Sequence, residues 1–240
     1  ISPKTSDLLV SFGERLSTAL ISAILTQRGL PVRFVDAREL VKTTSQFGKA
    51  EVRFAETNAL IQAYFASQTN EIALITGFIG SNEAGETTTL GRGGSDYTAS
   101  IFGAALSVKE IEIWTDVDGM MTADPRKVAA AFTIPSISYA EAMELTHFGA
   151  KVIYPPSLQP AFAKNIPIRV LNTFNRAFEG TVVSKVASTS PYIITGISSI
   201  DELALVNVQG SGMIGVAGVS AKLFTVLAKE KISVVLISQA

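Results

Sequence analysis

The stretch Thr87-Thr88-Thr89-Leu90-Gly91-Arg92-Gly93-Gly94-Ser95-Asp96 decides how this sequence is interpreted. It follows a strongly apolar run, residues 72–78, that is typical of a buried strand, and it leads into a helix-like run over residues 97–106. Glycines let backbone N–H groups approach a ligand closely, and a helix N-terminus carries a partial positive charge. Arg92 adds a bidentate donor for a carboxylate or a phosphate. The stretch therefore predicts an anion-binding loop with the carboxylate of Asp96 beside it.

Helix-like and strand-like segments alternate around this loop. In order, the sequence predicts a helix at 6–28, a strand at 32–36, a helix at 55–67, a strand at 71–78, the glycine loop with its helix, and a strand at 110–115. This alternation favours an α/β fold in three αβα layers, with a mainly parallel sheet between helices. Ligands bind beyond the carboxyl ends of such strands, where the glycine loop and residues 115–126 both lie.

Composition limits the classes of function. The 240 residues are 47% apolar and 17% charged with a net charge of -1, which favours a well-packed protein and disfavours nucleic acid as a partner. The sequence has no Cys and one His, His147, so thiolate and multi-histidine metal sites are excluded. No apolar run approaches the ~20 residues of a membrane span, and the N-terminus is unlike a signal peptide. We expect a cytoplasmic protein that does not contact a membrane.

A second polar loop follows the strand at 110–115. Residues 115–126 contain three Asp and one Arg, but their spacing fails for a calcium loop because the Gly comes too early and no Glu stands at the twelfth position. Two plain turns and a ligand-binding loop remain equal alternatives. Farther on, Ser138 and Glu141 form a capping box that predicts a helix running to His147. Lys151 follows that helix, where it either complements the helix C-terminus or reaches a phosphate.

The absence of several sequence motifs limits the possible classes of enzyme. The sequence has no P-loop, no dinucleotide fingerprint after a strand and no nucleophile elbow. Phosphoryl transfer needs mainly positioning and neutralisation of charge, which glycine N–H groups, a lysine and a nucleotide-bound magnesium ion supply. The residues alone therefore indicate a small-molecule phosphotransferase or an anion-binding α/β protein.

Five segments, in matching order, resemble the aspartokinases of the amino-acid kinase family: SFGERL (11–16), TTLGRGGSDYTA (88–99), WTDVDGMMTADPR (114–126), FGAKV (148–152) and NTFNRAFEG (172–180). The resemblance covers residues 1–186 and implies a kinase catalytic domain there. Residues 187–240 resemble the start of an ACT regulatory region, a truncated ferredoxin-like β-α-β unit with strands near 193–197, 203–208 and 232–238 around a helix at 219–230. The tail is most similar to bifunctional aspartokinase–homoserine dehydrogenases, although no dehydrogenase segment is present.

The resemblance implies a reaction and a set of ligands. An aspartokinase transfers a phosphoryl group from ATP to the side-chain carboxylate of L-aspartate, giving 4-phospho-L-aspartate, in the first step toward lysine, threonine and methionine. Magnesium would be held mainly by the nucleotide, with no metal site on the protein. Threonine or lysine would be the feedback effector, acting through the ACT region, and the ACT regions would pair subunits into a homodimer or a larger homo-oligomer.

The resemblance also assigns residues. The implied substrate residues are Glu14 for the α-amino group and Arg92 for the α-carboxylate, with Gly93, Gly94 and Ser95 lining the pocket. Asp96 and Lys151 would be catalytic, Asp96 by orienting cationic groups and Lys151 by contacting the ATP phosphates. The rest of the nucleotide site would consist of Thr115, Asp116, Asp124 and Arg126.

Departures from the family keep alternatives open. The family's K-x-G-G-T-S loop, whose lysine is central to phosphoryl transfer, is absent here, so we expect this chain by itself to be a poorly active fragment. Met121 and Tyr154-Pro155-Pro156 also differ from common family residues. One alternative is another amino-acid kinase, acting on glutamate, acetylglutamate or a nucleoside monophosphate. Glu14 disfavours an acylated amine as its partner. A second alternative is a non-catalytic, amino-acid-sensing ACT module.

Overall fold

Helices and parallel strands alternate through most of the chain. The computed structural model describes residues 1–66, 71–147, 152–154, 158–187, 193–210 and 217–238. Its helices are α1 (Pro3–Gln27), α2 (Ala37–Leu40), α3 (Phe54–Ala66), α4 (Gly94–Leu106), α5 (Tyr139–His147), α6 (Gln159–Ala163) and α7 (Val219–Lys229). Its strands are β1 (Val32–Val35), β2 (Ile72–Ile75), β3 (Ile79–Ser81), β4 (Thr87–Thr89), β5 (Ile111–Thr115), β6 (Ser136–Ser138), β7 (Ile168–Asn172) and β8 (Thr181–Ser184).

The described strands form three parallel pairs and two antiparallel pairs. β1 pairs with β2 in parallel, and β3 pairs with β4 as an antiparallel hairpin. A four-stranded sheet has the order β5-β7-β8-β6, in which β5–β7 and β6–β8 are parallel and β7–β8 is antiparallel. The α/β class and the mainly parallel pairing predicted from the sequence are therefore confirmed for the described residues.

Two apolar clusters hold the elements together. One lies around the four-stranded sheet and α5–α6, with Met120, Ile137, Leu158, Ile168 and Val170 fully or almost fully buried. The other joins β1, β3, α2, α3 and α4 through residues that include Val41, Ile61, Ile79 and Ile101. Burying a side chain of this size contributes about 1.5–3 kcal/mol. The glycine loop enters α4, whose residues contribute to this second cluster, so its position is fixed by a packed helix.

Helix α1 packs through its polar side, which the sequence analysis did not predict. Its buried residues are Asp7, Ser11, Thr18 and Ser22, which follow the spacing of one helix face. The apolar face that identified the helix is exposed: Leu16 and Leu20 are 66% and 62% accessible. The helix also begins earlier than predicted, with Ser2 as its N-cap. Small polar side chains let α1 approach β1 and β4 closely, which explains why they face inward.

The apolar residues of α1 have a second consequence. The helix is 25 residues long and reaches a mean hydropathy of 1.5 over 18 residues, so its length and composition match those of a membrane span. We expected no membrane span because no uninterrupted apolar run is long enough, whereas this helix is apolar only on average. A match in one helix near the N-terminus is weak evidence, because core helices and signal sequences give the same result.

The chain divides into two compact units, residues 1–200 and 201–240. The boundary predicted after residue 186 stays a prediction. In the described part of the second unit, α7 is the one regular element, and the strands predicted at 203–208 and 232–238 are not formed. Nor is the strand predicted at 193–197, which lies in the first unit. A strand needs a hydrogen-bonded neighbour, and an isolated β-α-β unit offers few.

Candidate active site

The glycine loop lies between the β3–β4 hairpin and α4. Its first three residues, Thr87–Thr89, form β4, so part of the predicted loop is a strand. After Leu90 the chain turns through Gly91 and Gly93, both with positive φ, and α4 begins at Gly94 with Gly93 as its N-cap. The free N–H groups of this first turn lie at the N-terminus of a 13-residue helix, where an anion is stabilised.

Gly93 is required by its backbone angle and by a close contact, and Gly94 by a close contact alone. A Cβ atom on Gly93 would lie 2.8 Å from the Cβ of Tyr154, and one on Gly94 would lie 2.6 Å from Cδ2 of Phe78. Any larger residue would push the loop away from these two aromatic side chains. The glycines that the resemblance assigns to the substrate pocket are thus fixed between Phe78 and Tyr154.

Arg92 is an exposed side chain at the tip of this turn. Its guanidinium carbon lies 5.7 Å from the centre of the Tyr154 ring, which places the cation over the aromatic face. Such a contact is worth about 0.5–1 kcal/mol at an exposed site. The sequence analysis noted Tyr154 only as a departure from the family, whereas the structure places it beside the predicted carboxylate-binding arginine.

Asp96 stands in the first turn of α4 and is partly buried. Burial raises the pKa of its carboxyl group. A bound cation stabilises a partly buried carboxylate, because the nearby positive charge offsets the cost of its desolvation. This environment suits the predicted role of Asp96 in orienting cationic groups.

Glu14 and Ser95 line one open cleft of about 330 Å³, together with Gly77, Thr98 and residues of β2 and α4. Two of the predicted substrate residues, from helix α1 and from the glycine loop, are therefore brought together. Gly13 precedes Glu14, and a Cβ atom on it would meet none of the described atoms within 4 Å. Gly13 therefore makes no tight contact with another described element.

Phe78 is a site residue that the sequence analysis missed. Its φ of +69° is rare for an aromatic residue and costs on the order of 1–3 kcal/mol. The conformation is held because its N–H donates to Thr98 Oγ1 at 3.0 Å and its carbonyl accepts from the Leu90 N–H at 2.9 Å. Phe78 thereby links β2 to both ends of the glycine loop. No local motif in the sequence signals this strained conformation.

The second polar loop follows β5 and is anchored to the end of β7. Asp118 accepts hydrogen bonds from the side-chain amides of Asn172 and Asn175, at 2.8 and 3.0 Å. The N–H of Met120 donates to Thr181 Oγ1 at 2.8 Å. Thr115 Oγ1 lies 3.1 Å from Asp116 Oδ1. Sequence reasoning assigned no role to Asp118, whose partners lie more than fifty residues away.

Asp124 and Arg126 are in direct contact. Arg126 donates from Nε and Nη2 to the two oxygens of Asp124, at 3.0 and 2.7 Å. The side-chain and backbone hydrogen bonds from Arg126 lower the pKa of Asp124 to about 2. The Arg126 side chain is 85% exposed. It is therefore an oriented surface cation, as a phosphate-binding residue would be. Lys151 lies outside the described residues.

The model of the amino acid kinase family matches residues 2–172 of this chain. The chain belongs to the amino acid kinase family. An ACT domain model matches residues 206–240. Among curated relatives, the lysine-sensitive aspartokinase 3 of Escherichia coli is 40% identical over 99% of this chain and 53% of its own length. The bifunctional aspartokinase/homoserine dehydrogenase 2 of Zea mays is 38% identical over 98% of this chain and 26% of its own length.

Solved structures agree with this family assignment. Escherichia coli aspartokinase III with aspartate and ADP superposes with a TM-score of 0.79 at 37% identity, covering all of this chain and 54% of that one. The same enzyme with lysine and aspartate gives a TM-score of 0.82 at 36% identity, with the same coverage. The predicted resemblance to aspartokinases, with an amino-acid-kinase fold and a partial ACT domain, is confirmed. The chain spans about a quarter to a half of the length of these relatives.

Proposed function

We propose that this chain is the aspartate-binding and nucleotide-binding part of an aspartokinase. The observation that carries the proposal is the cleft in which Glu14 of α1 faces Ser95 of the glycine loop. A carboxylate suits the α-amino group of a free amino acid, and Arg92 beside the helix N-terminus suits its α-carboxylate. The match to aspartokinases, rather than to distant kinases of the same fold, supports L-aspartate as the substrate.

In the proposed reaction a side-chain carboxylate oxygen of aspartate attacks the γ-phosphorus of ATP, the bond to the β-phosphate oxygen breaks, and ADP leaves. The carboxylate is already ionised, so no general base is needed, and positioning and charge neutralisation carry the rate. Arg92 and Glu14 would orient the substrate, and Asp96 would orient the cations around the transferring group. Arg126 and Lys151 would contact the nucleotide phosphates, with Thr115 and Asp116 beside them.

Magnesium would enter with the nucleotide. The described residues contain no group of three or more acidic or histidine side chains placed to hold a metal ion. We propose that the ATP phosphates hold the ion, as the resemblance to aspartokinases implies. Lysine is a proposed effector because it is named in the relative and in one structure of it, and threonine stays a prediction. Assembly through ACT regions and a cytoplasmic location stay predictions; several relatives are described as chloroplastic.

The proposal is tested with the complete gene product that contains these residues. The product is incubated with ATP, magnesium and one amino acid at a time, and the acyl phosphate is trapped with hydroxylamine. We expect the hydroxamate with L-aspartate, and much less with L-glutamate or N-acetyl-L-glutamate. Hydroxamate formed from an acylated amino acid instead would replace aspartate as the substrate. Phosphorylation of a nucleoside monophosphate gives no acyl phosphate, so it is tested separately by ADP release in a coupled assay, and activity there would also replace aspartate. Binding of lysine or threonine without any kinase activity would favour the sensor alternative.

A further inference from the structure

Asp7 is a buried carboxylate that ties three separate segments together. It lies in the first part of α1 and is 3% exposed. Its Oδ2 atom accepts from the backbone N–H groups of Gly48 and Thr89, each at 2.9 Å. Its Oδ1 atom accepts from the Thr89 hydroxyl at 2.9 Å. All three donors are uncharged. Burying the carboxylate costs free energy of desolvation, and these directional hydrogen bonds offset that cost.

Each of these segments leads to the proposed aspartate pocket. Glu14 follows Asp7 by two turns of the same helix, about 10 Å along the axis. Thr89 is the last residue of β4, three positions before Arg92. The carbonyl oxygen of Gly48 lies against Gly91, 3.2 Å from where a Cβ atom on Gly91 would be. The carboxylate therefore joins the helix that carries Glu14 to the loop that carries Arg92.

We propose that Asp7 is a positioning residue that sets the spacing between Glu14 and Arg92. It does not contact the substrate, because it is buried against Gly48 and Thr89 beneath the loop. The two ends of the bound amino acid are gripped from different elements, so a small shift of α1 relative to β4 weakens both contacts at once. This inference rests on the proposed function, since it assumes that Glu14 and Arg92 bind one ligand.

Two substitutions at Asp7 separate positioning from charge. Asp7→Ala removes both acceptor oxygens and with them all three hydrogen bonds, and we expect the KM for L-aspartate to rise about tenfold or more with the KM for ATP unchanged. Asp7→Asn keeps the shape of the side chain. Its amide oxygen can accept from the N–H groups of Gly48 and Thr89, and its NH₂ group can donate to the Thr89 hydroxyl oxygen. We expect its KM for L-aspartate to stay within about threefold of the wild type.

A matched control distinguishes positioning from general loss of stability. Thr57 is fully buried in α3, and its hydroxyl bonds the backbone of Lys42 at 3.0 and 3.3 Å, outside the glycine loop. We expect Thr57→Val to lower Tm while leaving the KM for L-aspartate unchanged. Thr89→Val removes the hydroxyl bond alone, so it should raise the KM for L-aspartate by a smaller factor than Asp7→Ala, and it serves if Asp7→Ala does not fold.

The outcomes distinguish a failure of the proposed function from a failure of the positioning role of Asp7. Steady-state kinetics and thermal unfolding are measured on the complete gene product, with wild type, Asp7→Ala, Asp7→Asn, Thr89→Val and Thr57→Val in parallel. If the wild type does not phosphorylate aspartate, the proposed function fails. If the wild type is active and Asp7→Ala matches Thr57→Val in the KM for L-aspartate, the positioning role is refuted. A loss in Asp7→Asn equal to that in Asp7→Ala would refute it too, because the charge would then be what matters.

Discussion

At the scale of single residues, the position of the Asp96 carboxylate lowers the stability of the fold. It stands in the first turn of α4, and burial raises the pKa of its carboxyl group. A raised pKa means that the ionised side chain is less favourable in the folded chain than in the unfolded one. The free energy of unfolding is lowered by this cost at neutral pH. The cost disappears as the pH falls below the ordinary pKa of aspartate, where both states are protonated.

We expect Asp96→Asn to separate function from stability. Activity with L-aspartate should fall at least about a hundredfold, because the amide cannot orient cations around the phosphoryl group. The Tm should rise at pH 7, and this gain should shrink toward zero near pH 4 as wild-type Asp96 becomes protonated. Thermal unfolding at several pH values, beside steady-state kinetics, checks both parts. A variant that is less stable than the wild type at pH 7 would show that Asp96 has a structural partner in the fold.

Residue identity predicted some site positions and missed others for a clear physical reason. Glu14, Arg92 and Ser95 belong to short, distinctive motifs, so the sequence predicts roles for them, and the structure places Glu14 and Ser95 in one cleft. Tyr154, Phe78 and Asp118 act through partners far away in the sequence: Tyr154 under Arg92, Phe78 between Leu90 and Thr98, and Asp118 bonded to Asn172 and Asn175. Long-range contacts of this kind leave no local pattern.

At the scale of secondary structure, local signals predicted α5 well. Ser138 and Glu141 form the capping box that the sequence indicates. The Glu141 N–H donates to Ser138 Oγ at 3.2 Å, while the Ser138 N–H and hydroxyl donate to Glu141 Oε2 at 2.9 and 2.6 Å. The hydroxyl bond from Ser138 is the main cause of the lowered pKa of Glu141, with a further contribution from Thr195.

We expect Ser138→Ala to lower the free energy of unfolding by about 1 kcal/mol, the usual cost of losing an N-cap. Ser138→Thr keeps the hydroxyl and is the matched control, with an expected loss of less than half that amount. Because the folded pKa of Glu141 is lowered, its contribution is present above the ordinary glutamate pKa and is lost as the pH falls through the folded value. Urea unfolding at pH 7 and pH 4 measures the difference between the variants, which should narrow at the lower pH.

Other elements were predicted incorrectly because tertiary contacts, and not the local pattern of polar and apolar residues, decide which side chains are buried. Thr87–Thr89 are polar and were interpreted as loop, but they form a strand with all three side chains buried. Helix α1 shows an apolar stripe that ordinarily marks a core face, yet the stripe is exposed and Asp7, Ser11, Thr18 and Ser22 face inward. The strands predicted in the tail lack described partners, so their β-branched sequence alone did not produce them.

At the scale of the whole molecule, the sequence was sufficient for the fold class and the family. The alternation of helices and strands predicts the mainly parallel pairing, and the order of five motifs identifies the aspartokinase relatives. The same sequence could not show how α1 and the glycine loop meet, because that depends on contacts between residues far apart in the chain, among them the three hydrogen bonds accepted by Asp7. The central claim is that these two elements form one pocket for L-aspartate.

The most direct test of that claim is the kinetics of the complete gene product as wild type, Glu14→Gln and Arg92→Gln, with L-aspartate varied at saturating ATP. Glu14→Gln preserves side-chain size, whereas Arg92→Gln shortens the side chain, and each substitution removes one charge. We predict that each lowers kcat/KM for L-aspartate by about a hundredfold or more and leaves the KM for ATP within about twofold of the wild type. Wild-type kcat/KM for L-aspartate in both variants would contradict the account, because neither side chain would then bind the substrate.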